Sequence, residues 1–90
     1  MEAGLYPRID NESDIAWRAL CERYSGVETM ILVGDGYSLP DGTFPIVDEA
    51  DLWNAIKAYS YAEKPIATRR HICRRAGELG LETPIGFCHP

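Results

Sequence analysis

The segment from Val47 to Pro65 leaves the chain the least freedom. Asp48 has the short acceptor side chain that caps a helix N-terminus, and Asp51 stands three residues on, as in a capping box with Asp in place of Glu. Val47 and Leu52 occupy the two positions of a hydrophobic staple. Leu52, Ile56 and Tyr59 follow at helical spacing with Ala55 beside them, which predicts one buried stripe. Lys64-Pro65 ends the segment, because a residue before proline is pushed out of the helical region. Pro65 can itself open a further helix at the first position, where its missing N–H costs nothing. Ile66, Ile72, Cys73, Ala76 and Leu79 supply an apolar arc for that helix, and Gly80 with Leu81 folding back toward Ala76 reads as a Schellman ending.

Upstream, Trp17, Leu20, Cys21 and Tyr24 recur at i, i+3, i+4 and i+7, predicting a helix over Asn11–Tyr24. Asn11 or Ser13 can cap it, Asp14 suits its positive end, and Gly26 suits a left-handed C-terminal position. Thr29 to Val33 is β-branched and apolar and reads as a short strand, closed by Gly34-Asp35-Gly36. Leu39-Pro40-Asp41-Gly42 is a turn signature that would set Tyr37 and Leu39 opposite Phe44 and Ile46 in a small edge hairpin, with Pro45 limiting the pairing. The expected fold is therefore mainly α, about three helices with a short β-hairpin between the first and second. Residues 1–10 and 82–90 read as extended tails, the latter because of its prolines and glycine.

Ninety residues suffice for a single domain spanning 1–90. A chain this size buries only about two-thirds of its unfolded surface, so oligomerisation or docking onto a partner matters more to it than to a larger protein. The longest apolar run, Met30-Ile31-Leu32-Val33, is far short of the roughly 20 residues of a membrane span, and the N-terminus lacks a signal-peptide pattern. A cytoplasmic setting is expected. Cys21, Cys73 and Cys88 are odd in number and widely spaced, so free, partly buried thiols are expected rather than a disulfide. His71 and Cys73 stand two apart on a helix and cannot easily share a zinc ion.

Charge is unevenly placed. Met1 to Glu63 carries twelve acidic and four basic residues, whereas Lys64 to Pro90 carries five basic and two acidic, giving −5 overall. Gly34-Asp35-Gly36 lacks the rest of a phosphate loop and reads as a tight turn. Asp48, Glu49 and Asp51 could be imagined as a general acid/base pair or a magnesium site, but acidic residues at a helix start are expected for dipole reasons alone. Neither His71 nor His89 has a nucleophile placed beside it by local spacing. No catalytic residue, metal site or cofactor is therefore assigned. The functional weight falls on Arg69-Arg70-His71-Ile72-Cys73-Arg74-Arg75. At about 100° per residue, Arg70, His71, Arg74 and Arg75 spread over the face opposite Ile72, Ala76 and Leu79. Such a face can pair with carboxylates or grip phosphates. Trp53 and Tyr61 lie beside the buried stripe of the preceding helix, either as core rim or as interface anchors. A protein partner is the first reading; nucleic acid is the second, with the overall acidity against it.

Leu39-Pro40-Asp41-Gly42-Thr43-Phe44-Pro45-Ile46, then Asp51-Leu52 with Ala55-Ile56, then His71-Ile72 with Arg75-Ala76 and Leu79-Gly80, resembles a small domain of tailed phages of actinobacteria. That domain occurs attached to head-assembly proteins such as prohead proteases and in small proteins on their own. The resemblance spans 39–81. Ser60-Tyr61-Ala62 stands where the family has a Gly-Arg-Ala-like link, and the ending from Pro84 replaces an acidic, Trp-bearing one. The resemblance implies no catalytic residues. It implies a phage docking module, in the virion head or on a host protein, in the virion or the host cytoplasm.

Overall fold

The structure, a computed structural model, describes residues 12–88. Its elements are α1 (Glu12–Arg23), α2 (Gly26–Gly34), α3 (Glu49–Lys57), a single 3-10 turn (Tyr59–Tyr61) and α4 (Pro65–Leu79). The expected N-terminal tail, the Asn11 cap and His89 lie outside the described residues. The mainly α expectation holds, but the β-hairpin does not, since no strand is present among the described residues.

Two local causes overturn it. Ser25 is the N-cap of a helix that takes in the whole stretch read as a strand. Its side chain accepts from Glu28 N–H, and the Glu28 carboxylate accepts in return from Ser25 N–H at 2.9 Å, a complete capping box. Gly26 thus begins α2 instead of closing α1. Beyond α2, the Leu39–Gly42 turn does form, with Gly42 N–H donating to Leu39 C=O at 2.8 Å and Gly42 at φ +87°. Leu39 N–H reaches Thr43 C=O and Ile46 N–H reaches Tyr37 C=O, so the two arms touch. They never become a ladder, because Phe44 sits at φ +54°, outside the extended region, and Pro45 has no N–H to give.

The rest of the frame is as the residues dictate. Asp48 caps α3, accepting from Asp51 N–H at 3.0 Å, and Leu52 and Ala55 are fully buried. Pro65 opens α4. Gly80, left-handed at φ +71°, closes it, with Leu81 N–H donating to Ala76 C=O in the six-residue Schellman bond. α1 packs on α3 and α3 on α4, with the 3-10 turn against all three. Between them Leu20, Phe44, Ile46, Leu52, Ile72 and four alanines form the core. Each large aliphatic side chain so buried contributes roughly 1.5–3 kcal/mol. The buried line of α1 is Ala16 and Leu20 with Trp17 partly covered, whereas Cys21, expected in that stripe, is exposed.

Asp51 joins α1 to α3. Fully buried, its carboxylate accepts from Arg23 Nη1 at 2.7 Å, Tyr24 Oη at 2.6 Å and Val47 N–H at 3.0 Å. Burial and the hydrogen bond to Asp51 push the Tyr24 hydroxyl well above its ordinary pKa, so it stays a donor. Arg23 also reaches Asp48 at 3.0 Å. The expected capping box is therefore half made, with the second carboxylate spent on a tertiary clamp.

The C-terminal segment also departs from expectation. Cys73 and Cys88 are joined in a disulfide, not free, with Cα atoms 5.8 Å apart, and only Cys21 is a free thiol. Sequence spacing could not reveal this, because the pair forms only when residues 82–88 fold back along α4. Phe87 stacks edge-on against Tyr59 at 5.3 Å and holds that return in place.

Candidate functional site

The basic helix α4 was expected to turn its arginines to solvent, and two of the four candidate side chains point inward instead. His71 is 5% and Arg75 4% exposed, both beside Ile72 and Ala76. At 100° per residue, His71, Ile72 and Arg75 lie within one quadrant of the helix, so the face that buries Ile72 takes its neighbours with it. Each neighbour then serves the loop between α2 and α3. Arg75 Nε donates to Ile46 C=O at 2.8 Å, its Nη1 meets Glu78 at 2.6 Å, and its guanidinium lies over the Tyr37 ring at 4.2 Å.

His71 Nε2 lies 2.9 Å from Phe44 C=O, and Nδ1 lies 3.1 Å from an Arg74 nitrogen. A carbonyl can only accept and a guanidinium can only donate, so His71 is neutral with its proton on Nε2. Burial first, then the nearby charges of Arg74 and Arg75, lower its pKa, which agrees with that tautomer. Arg74 also donates to Gly36 C=O at 2.7 Å and pairs with Glu78 at 3.2 Å.

Of the predicted contact residues this leaves Arg70, which is exposed and has no ion pair among the described residues. Trp53 and Tyr61 are 37% and 40% exposed. Trp53 Nε1 donates to Glu49, and Tyr61 stacks on Trp17 at 5.3 Å, which in turn packs on Phe44. Both aromatics lie at the core's edge, away from Arg70 in sequence and joined to it by no contact.

Sequence reasoning missed the most unusual surface. α2 is mostly apolar, yet none of its residues is fully buried, and among the described residues it packs against no other helix. Val27, Met30 and Ile31 are 71%, 76% and 58% exposed. The signal was present: Ser25-x-x-Glu28 is a capping box, and Val27, Met30 and Ile31 stand at i, i+3 and i+4, one face of a helix. Reading Thr29–Val33 as a strand hid both. The helix rests on the loop through Thr29, Leu32 and Val33, which are half-buried, with Tyr37 and Ser38 N–H groups donating to Leu32 C=O. The loop accepts it closely at Gly42, where a Cβ would come within 2.9 Å of the Thr29 methyl.

Depressions adjoin α2 on more than one side. An open cleft of about 450 Å³ between the end of α2, the following loop and α4 is walled by Val33, Ser38, Pro40, Arg70, His71 and Arg74. A groove of about 270 Å³ along α2 includes Thr29, Met30, Val33 and Pro40. The Asp48/Asp51 pair is occupied by helix capping and the Arg23–Tyr24 clamp. Among the described residues no three His, Cys, Asp or Glu side chains gather as a metal site, and no helix is long and apolar enough to cross a membrane. In comparisons with known proteins, no family model, no curated protein and no solved structure matches the chain.

Proposed function

We propose that the chain is a non-catalytic docking module that binds a protein partner through the outer face of α2. One observation carries this reading: a capped helix presents Val27, Met30 and Ile31 to solvent and has no fully buried residue. Leaving such side chains in water forgoes most of the roughly 1.5–3 kcal/mol each would contribute on burial. A contiguous apolar face of this kind, rimmed by the polar Glu28 and Asp35, is the usual mark of an association surface. The arginine side of α4 becomes an accessory to it, contributed by Arg70.

The resemblance to phage head-associated domains supports a phage setting, with the partner a head protein or a host protein. The Cys73–Cys88 bond favours the particle, since a virion leaves the reducing cytoplasm in which a host-directed effector would work. The nucleic-acid alternative has less support, because Arg74 and Arg75, two of its three arginines, are ion-paired to Glu78. A photo-crosslinking residue at Met30 tests the reading in an actinobacterial lysate and with purified particles. It should capture a discrete protein that an identical probe at exposed Arg18 does not, and Ile31→Asn should abolish the capture. Equal capture from both positions, or oligonucleotide binding at low salt that fades steeply as salt rises, would overturn it.

A further inference from the structure

The cleft beside α2 holds a cation that the fold leaves unpaired. Ser38 is buried in its wall, with its Oγ enclosed and out of reach of anything entering the cleft. Arg70 stands on the same wall with no ion pair, whereas the neighbouring Arg74 is met by Glu78 and held by Gly36 C=O and His71 Nδ1. His71, held neutral by its two hydrogen bonds, brings no charge, and no carboxylate lines the cleft. Val33 and Pro40 belong both to this cleft and to the groove along α2. An apolar strip, Met30–Val33–Pro40, therefore runs directly into a pocket with one unspent positive charge.

We propose that this composite surface recognises an acidic peptide segment of the protein partner. One Asp or Glu carboxylate of the segment pairs with Arg70. Apolar side chains within a turn of that acid cover Val33, Pro40 and Met30. The charge arrangement selects this chemistry over a polyphosphate chain, which needs several free cations in a row, whereas here a single free arginine adjoins an apolar floor. Asp41, on the far side of the groove, has its carboxylate turned into its own turn by the Thr43 N–H and hydroxyl at 3.0 and 2.6 Å. It bars a second acid from the apolar end and so sets the orientation of the segment. This inference rests on docking through α2.

The test is an array of synthetic, C-terminally amidated peptides of random sequence, probed with the full chain. Binders should be enriched in Asp or Glu within one turn of two apolar residues. Arg70→Glu should weaken them about tenfold or more, and replacing the peptide's acid by Lys should restore binding to the Arg70→Glu protein, the signature of a direct charge pair. Arg18→Glu, an equal charge change on α1, should leave binding unaltered. If binders are lost on Met30→Gln but show no acid preference and ignore Arg70→Glu, docking through α2 stands and the carboxylate site falls. If no peptide binds, or if Met30→Gln is silent, both fall.

Discussion

α2 and α4 invert the ordinary relation between polarity and burial. α4 is rich in charge, yet it buries His71 and Arg75, while α2 is mostly apolar and has no fully buried residue. The difference follows from what each helix has to hold. α4 lies against a loop, residues 36–46, whose carbonyls at Gly36, Phe44 and Ile46 have no ladder to join, and long donors on the helix satisfy them. α2 is satisfied within itself by its capping box and its own turns, so it can rest on that loop through one edge. Polar groups go inside where distant backbone carbonyls need partners, and the apolar face of α2 is left in water.

The comparison can be broken first at its polar side. Asp51→Ala removes the common acceptor of Tyr24, Val47 and Arg23 and should cost roughly 3–5 kcal/mol in urea denaturation, while Asp51→Asn, which keeps one acceptor oxygen, should cost less. A loss below about 1 kcal/mol would mean that the buried carboxylate is not holding α1 to α3.

Cutting the Cys73–Cys88 link by Cys88→Ser frees a chain separation of 15 residues and should cost about 3 kcal/mol, seen as a lower melting temperature that dithiol reductants reproduce in the parent. Arg75→Met keeps much of the apolar stem but strands Ile46 C=O and gives up the Tyr37 ring. Its expected cost is about 2 kcal/mol, with faster amide exchange in the loop as the local readout.

His71 gives the comparison a pH dependence. Its pKa is lowered in the fold, so between its ordinary value of 6.5 and that lower value the unfolded chain binds more protons. Stability is complete above the ordinary value and declines as pH falls through that window. Denaturation midpoints measured from pH 7.5 to 5 should show the decline, and His71→Gln should flatten it.

The smallest effect on stability is expected on the apolar side. Met30→Gln or Ile31→Asn should change folding free energy by no more than about 0.5 kcal/mol, since neither side chain is packed, while removing partner capture altogether. A large loss of stability there would show that α2 is part of the core and not a free face.

Local chemistry made the helical frame from Asp48 onward legible in the linear chain. The Asp48 cap, the Leu52–Ala55 stripe, the Lys64-Pro65 break, the Pro65 start and the Gly80 ending are each fixed within a few residues, where short-range sterics and hydrogen bonds dominate. The turn at Leu39–Gly42 was legible for the same reason. Arg70 also emerged from the sequence as a contact candidate and remains one, whereas His71 and Arg75 changed roles. The helix over Thr29–Val33 was legible too, in the Ser25-Glu28 box ahead of it, although a β-leaning composition hid it. Two things were decided only in three dimensions. Cys73 meets Cys88 only because Phe87 carries the last described residues back onto Tyr59. His71 and Arg75 face inward because carbonyls distant in sequence, Phe44 and Ile46, need donors there. A pattern of polarity along a helix tells which residues can reach water; which of them do is settled by the unsatisfied groups that arrive from elsewhere in the chain.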